Sequence, residues 1–569
     1  MNLNIEAESK NTYDAIVVGT GISGGFAAKE LAEKGLKVLV LERGRDVKHP
    51  DYPTATKDPW EFPNAGKPTQ EDLKQQGVQA RTGYTVNQDI KHWFVNDLEN
   101  PYTEKEGKRF DWMRGYHVGG RSIMWGRQSY RWSPMDFEAN AKDGIAVDWP
   151  VRYNDIEPWY SYVESYIGVS GQVENLPQLP DSKFLPPMEL NCVEEELKKS
   201  MKEKFSRALT IGRVAHATAP LPHTPWRGQC QYRNLCSRGC PYGGYFSSNS
   251  CTLPAAEKSG NMTLRPNSIV YELIYDDKKG KATGVKVQDS ETGEQVEYFA
   301  KVIFLCASTM GSAFIMMNSI STRFPNGFGN DSDELGRNIM DHHLGVGAGG
   351  DYEGFEDKYY SGRRANGFYI PRYRNLGNNK SNYLRGFGYQ GGASRQGWSR
   401  MVAELNIGQD LKKMVQNPGK WTIGMGGFGE ILPYNDNRVT LNNDKKDKYG
   451  LPTLTFDTEF KENELKMRKD MANDAAEMLE AAGIKNVHTF DKVTGIGLGI
   501  HEMGTARMGK DPKTSVLNKW NQVHACKNVF VTDGSFMASS ACQNPSLTYM
   551  AFTARAADYA VSELKKGNL

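Results

Sequence analysis

The chain has 569 residues, 38% apolar and 24% charged, the profile of a water-soluble globular protein with room for two or three domains. Its 70 basic and 68 acidic residues leave a net charge of +2, which removes any electrostatic case for nucleic acid as a partner. No run approaches the roughly 18 uninterrupted apolar residues of a membrane span, and the first residues lack a basic stretch followed by an apolar one. The default expectation is a cytoplasmic protein, or a periplasmic one if a signal-bearing partner carries it across folded.

The first element is a nucleotide unit. YDAIVVGTGISGGFAAKELAEKGLKVLVLERG (13–44) reads as strand, glycine turn, helix, strand and acidic end. Gly19, Gly21 and Gly24 have the G-x-G-x-x-G spacing: a tight turn, close approach of backbone to a pyrophosphate, and close packing of helix on strand. The amides at the helix N-terminus would face the phosphates. Glu42, 18 residues beyond Gly24, ends the second strand where a carboxylate accepts ribose hydroxyls, which disfavours NADP. The motif itself does not choose between NAD and FAD.

Next comes RGYHVGGRSIMWG (114–126), a Gly-Gly pair and a Ser in an apolar loop with no base or metal-ligand spacing. CQYRNLCSRGCPYGG spaces Cys230, Cys236 and Cys240 as C-x5-C-x3-C before a proline, with Cys251 eleven residues on. Iron–sulfur ligation, zinc, a disulfide and plain loop thiols all remain open for it. Residues 264–307 alternate strands with turns at Asp276–Gly280 and Glu291–Glu294, ending in the buried-strand run Val302–Cys306. His342 and His343, in NIMDHH, read as capping or packing residues.

Residues 345–490 read as an inserted α+β substrate domain containing an antiparallel sheet. NRVTLNNDKKDKYGLPTLTFD supplies strands to it. ENELKMRKDMANDAAEMLEAAG supplies a helix with apolar residues at Leu465, Met467, Met471, Ala475 and Met478, its methionines read as core rather than ligands. The chain then returns through GIHEMGTARMG (499–509) to a strand, a turn at Asp533-Gly534 and a long helix ending near 565. The architecture is α/β: a discontinuous Rossmann-like domain of residues 1–345 and 490–569, interrupted by 345–490.

Six ordered segments carry a resemblance over nearly the whole chain: VVGTGISGG, VGGRSIMWG, DWPVRYNDIEPWYSYVESYIGVSG, LGRNIMDHH, HEMGTARMG and DGSFMASSACQNPSLTYMAFTAR. The chain resembles the glucose–methanol–choline (GMC) flavoprotein oxidoreductases, nearest to bacterial large subunits of glucoside 3-dehydrogenase, gluconate 2-dehydrogenase and FAD glucose dehydrogenase. The resemblance implies FAD along Gly119, Gly120 and Ser122, with Ser23, Arg43, Val270, Asp533, Gly534 and Pro545 also beside it. Met124 stands where pyranose-oxidase-like relatives carry a flavin-linking histidine, so the FAD is expected to be non-covalent. His501 matches the family's base and Asn544 its partner, and Arg507 is read as structural.

For the three cysteines the resemblance implies a [3Fe–4S] cluster, with a small subunit and a cytochrome c as electron acceptor. The implied reaction is oxidation of a secondary hydroxyl of a sugar or glycoside, with glucoside 3-dehydrogenation preferred. Gluconate or polyol 2-dehydrogenation and pyranose oxidation by O₂ are the alternatives. A flavin-containing lyase and a non-catalytic electron-transfer subunit are the remote ones.

Overall fold

Strand Thr12–Val18 buries its last four residues completely or nearly so, as a strand covered on both faces must. It lies parallel to Val38–Leu41 on one side, with Ala15 opposite Val38, and to Gln295–Leu305 on the other, with Ala15 opposite Val302. Met262–Arg265 and Cys526–Val531 extend this parallel core at its two edges. These coordinates are a computed structural model that describes residues 11–360, 366–397 and 407–569. The first ten residues, part of the leader reading above, lie outside them.

Helix Ile22–Glu33 covers one face of the sheet and shares an apolar cluster with helix Ser546–Lys565. The shared residues are small: Ala27 and Ala28 from the first helix, Ala556, Ala557 and Ala560 from the second, which lets the helices approach closely. The turns expected at 276–280 and 291–294 fold Ser268–Asp276, Lys281–Asp289 and Gln295–Leu305 into an antiparallel meander. The start and the end of the chain thus meet in one α/β unit.

A second sheet is antiparallel throughout, in the order Lys485–Asp491, Val346–Tyr352, Trp421–Gly429, Phe387–Arg395, Phe368–Ile370, Thr210–Ile211. Helix Glu462–Ala481 packs on it through Met467, Met471, Ala475 and Met478, all fully buried. Leu465, on the same helix, is 50% exposed. At 100° per residue it lies about 200° around the helix from Met467, off the buried stripe.

Two stretches pack across the divisions expected at 345 and 490. Helix Cys192–Phe205 contributes Val193, Leu197 and Met201 to the core under the antiparallel sheet. The hairpin Arg438–Lys446/Pro452–Asp457 instead pairs with Thr103–Glu104, and its Leu454 and Phe456 join the apolar core of the nucleotide-binding unit. Phe456 stacks on Phe110 with ring centroids 4.0 Å apart. Among the described residues no helix is long and apolar enough to cross a membrane.

Phe456 is fully buried, so Phe456→Ala should cost about 3–5 kcal/mol and lower the thermal unfolding midpoint of the protein. A midpoint equal to wild type would contradict its place in that core.

Candidate active site

Thr20 follows the first glycine of the turn and ties three segments together. Its hydroxyl donates to Glu42 Oε2 (2.5 Å), its amide donates to the same oxygen (3.1 Å), and its Oγ1 accepts the amide of Gly119 (2.8 Å). Gly24 lies so close to the strand that a Cβ there would sit 1.9 Å from the carbonyl oxygen of Gly19. Gly119, at φ +91°, has no room for a side chain beside Asn249. Close packing of glycines therefore brings the glycine turn and the 119–122 loop side by side.

A cavity of about 440 Å³ opens along this junction, within the usual range for a ligand site. Gly19, Gly21, Ser23, Glu42, Arg43 and Val270 line its first part. Gly120, Ser122, Asp533 and Gly534 line the middle, and His501 and Asn544 the far end. Of the residues expected at the cofactor, Gly24, Gly119 and Pro545 lie behind the wall, and the two glycines act through packing.

The wall suits a dinucleotide. Helix Ile22–Glu33 starts at Gly21 with no side-chain cap and no acid in its first turn, so its leading amides and its dipole are available to a phosphate. A Cβ on Gly21 would meet nothing within 4 Å, so the backbone stands open to the cavity there. At the first end Arg43 stacks over Tyr116 (4.5 Å) and pairs with Asp447 (3.1 Å), with its Nε buried and unpartnered. Glu42 already accepts from Thr20 and, at 3.0 Å, from the Gly44 amide, and burial raises its carboxyl above the ordinary range. A carboxylate has about four acceptor positions, so capacity for a ribose hydroxyl remains.

At the far end His501 is partly exposed toward the cavity. Its Nδ1 lies 2.8 Å from Nδ1 of His342, and its Nε2 lies 3.4 Å from Nδ2 of Asn544. Burial first, then His342, then Arg121 hold its pKa well below 6.5, so the imidazole is neutral near pH 7. Gln390, on strand Phe387–Arg395 of the antiparallel sheet, donates from Nε2 to Asn544 Oδ1 at 2.6 Å. Phe428, on strand Trp421–Gly429, closes the same end with its ring centroid 6.4 Å from that of His501.

The loop carrying His501 is pinned by Asp341, whose carboxylate accepts the amides of Gly497 (2.8 Å), Gly499 (2.9 Å) and His501 (2.9 Å). Burial, and then the charge of Glu502, push this carboxyl up to about 7. Arg121, beside the Gly-Gly pair, clamps Glu502 with two bonds of 3.0 and 2.7 Å. Arg507 pairs with Glu334 (2.8 Å) and Asn338 (3.0 Å) away from the cavity, the structural role expected of it.

Sequence reasoning missed several of these groups. His343 packs as expected, stacked on Phe460, but His342 is bonded to His501. His342 stands in one of the six quoted segments, but no local rule reveals its bond, because its partner is 159 residues away. Gln390 lies in a glycine-rich strand that shows only its β pattern. Asp341 carried a signal, since it belongs to one of the six quoted segments, but not its function.

The iron–sulfur cluster expected at Cys230, Cys236 and Cys240 is not supported. Those thiols line a cavity of about 30 Å³ with His216 and Tyr245, room for about two waters. Cys230 Sγ sits 3.7 Å from His216 Nδ1, and burial raises the pKa of Cys230 and Cys236. Cys251 is buried apart from that cavity, 3.6 Å from a nitrogen of Arg227. Among the described residues no three His, Cys, Asp or Glu side chains are arranged to hold a metal ion.

A dinucleotide cavity ending at a neutral imidazole and a carboxamide defines an oxidoreductase acting on CH–OH groups. The chain belongs to the GMC oxidoreductase family, matching its N-terminal part over residues 13–344 and its C-terminal part over residues 433–553. FAD is the dinucleotide that membership implies. It is 27% identical to 2-methyl-1,2-propanediol dehydrogenase of Mycolicibacterium austroafricanum, over 97% of this chain and 95% of that protein. It is also 27% identical to the fructose dehydrogenase large subunit of Gluconobacter japonicus, over 97% and 98%. The fold superposes on a crystal structure of formate oxidase with TM-score 0.62 at 14% identity, over 98% of this chain and 99% of that one.

Gly24→Val should abolish cofactor binding while the chain still folds, because the branched side chain separates helix from strand at the turn. Added FAD should then raise the unfolding midpoint of flavin-stripped wild type but not of the variant; an equal rise in both would contradict the cradle.

Proposed function

We propose that this protein oxidises a secondary hydroxyl of a sugar or glycoside to the ketone, with His501 as the base and Asn544 holding the reacting oxygen. The observation that carries this reading is the convergence of His501 Nε2 and Asn544 Nδ2 at the cavity's end. FAD, which Gly19, Gly21, Ser23, Glu42 and Gly120 would hold, would supply the hydride acceptor for the carbinol carbon. His501, neutral near pH 7, takes the hydroxyl proton at Nε2. The Asn544 amide donates to the same oxygen, and having no basic nitrogen it does not compete for the proton.

The lining of this end supports a polyhydroxylated substrate. Gln390, Gln128 and Asn366 present amides, while Phe428 and Trp125 present aromatic surface suited to the C–H face of a sugar ring. The similarity to a fructose dehydrogenase large subunit supports a sugar as substrate and a partner subunit. Glucosides are the first class to test, for oxidation at C3; gluconate and polyols are the second. Met124 lines the cavity, and its thioether offers no nucleophilic nitrogen to the flavin ring, which supports non-covalent attachment.

Adding glucosides, fructose or gluconate anaerobically should bleach the bound flavin. Admitting air should restore its colour slowly in a dehydrogenase and fast in an oxidase. No bleaching with any sugar or polyol would sink the substrate class. His501→Ala should keep its FAD and slow flavin reduction about 10²–10⁴-fold, and an unchanged rate would remove His501 as the base.

A further inference from the structure

We propose that the backbone carbonyl of Ala541 fixes the direction of a hydrogen-bond chain, His342–His501–Asn544–Gln390, that presents His501 Nε2 to the substrate without a proton. His342 and Gln390 are then positioning residues for the oxidation. The inference rests on His501 being the base, as argued above.

One group in this hydrogen-bond chain has a role that cannot change. A carbonyl oxygen only accepts, and His342 Nε2 is bonded to that of Ala541, so the proton of His342 is on Nε2. His342 is fully buried, and burial holds it neutral, so its Nδ1 is bare. Nδ1 of His501 faces that bare nitrogen at 2.8 Å and must donate to it. Neutral His501 then has no proton left for Nε2.

A bare nitrogen calls for a donor opposite it, so Asn544 turns its amide nitrogen toward His501 and its oxygen away. That oxygen meets Gln390, which must show its own amide nitrogen, and does so at 2.6 Å. Reversing any single link would set two lone pairs or two protons face to face in a buried site. The contact between Asn544 Nδ2 and His501 Nε2, 3.4 Å, is long for a hydrogen bond. A substrate hydroxyl entering there would donate to one and accept from the other.

The chain also joins the two halves of the molecule. Gln390 belongs to the antiparallel sheet, whereas Asn544 lies just before the last helix of the nucleotide-binding unit. The substrate-facing sheet thus orients a catalytic amide carried by the other unit.

Long-range ¹H–¹⁵N spectra of histidine-labelled, FAD-loaded protein test the tautomers directly, with assignments from His342→Gln and His501→Gln. The expected result is His501 protonated only at Nδ1 and His342 only at Nε2; a proton on His501 Nε2 at neutral pH overturns the proposal. Gln390→Glu replaces the donor with an acceptor, and Gln390→Met offers neither. The Glu variant should slow flavin reduction about 10–100-fold with little change in KM, and the Met variant only a few-fold. Equal rates in the two variants overturn the part given to Gln390. The reading of His501 as base fails separately, through an unchanged reduction rate in His501→Ala, whatever the tautomers are.

Discussion

The carboxylate of Asp341 accepts three amides of the loop from Gly497 to His501, and the position of His501, the base we propose, depends on it. Loops seldom hold a side chain to within a fraction of an ångström unless their backbone is tied down. Here the tie is buried, and its neighbour in sequence acts on the ring: His342 follows Asp341 directly and bonds to His501. One two-residue step of chain therefore holds both the backbone and the ring of His501.

A second clamp acts from the cofactor side. Arg121, next to the Gly-Gly pair, holds Glu502 with two bonds, and Glu502 is the neighbour of His501. The carbonyl of Glu502 in turn accepts from Thr309 (2.6 Å) and Tyr549 (3.2 Å). The two clamps connect the imidazole to the loop that runs beside the glycine turn, so the cofactor cradle and His501 are tied together through hydrogen bonds. Their shared cost is a carboxyl at Asp341 pushed up to about 7 by burial and by the nearby Glu502. Such perturbed groups gather where function needs a dry, fixed geometry.

Features set by local chemistry were legible in the sequence. The glycine spacing, the buried β-branched runs, the two turns of the meander and the last helix all follow from short-range rules, and each has its counterpart in the fold. His501 and Asn544 were legible through resemblance, since no local rule distinguishes them from other polar residues in glycine-rich loops. What escaped was long-range. His342 looked like a packing residue because its bond spans 159 positions, and Gln390 reaches Asn544 across 154. The cysteine spacing raised a metal centre that the packing around Cys230, Cys236 and Cys240 does not form.

The account depends on one flavin dinucleotide lying between the glycine turn and His501. Precipitating the purified protein with acid and measuring flavin in both fractions tests this most directly. One FAD per chain, all of it in the supernatant, is the predicted result. Protein with no flavin in either fraction, and none taken up on incubation with FAD, would contradict it.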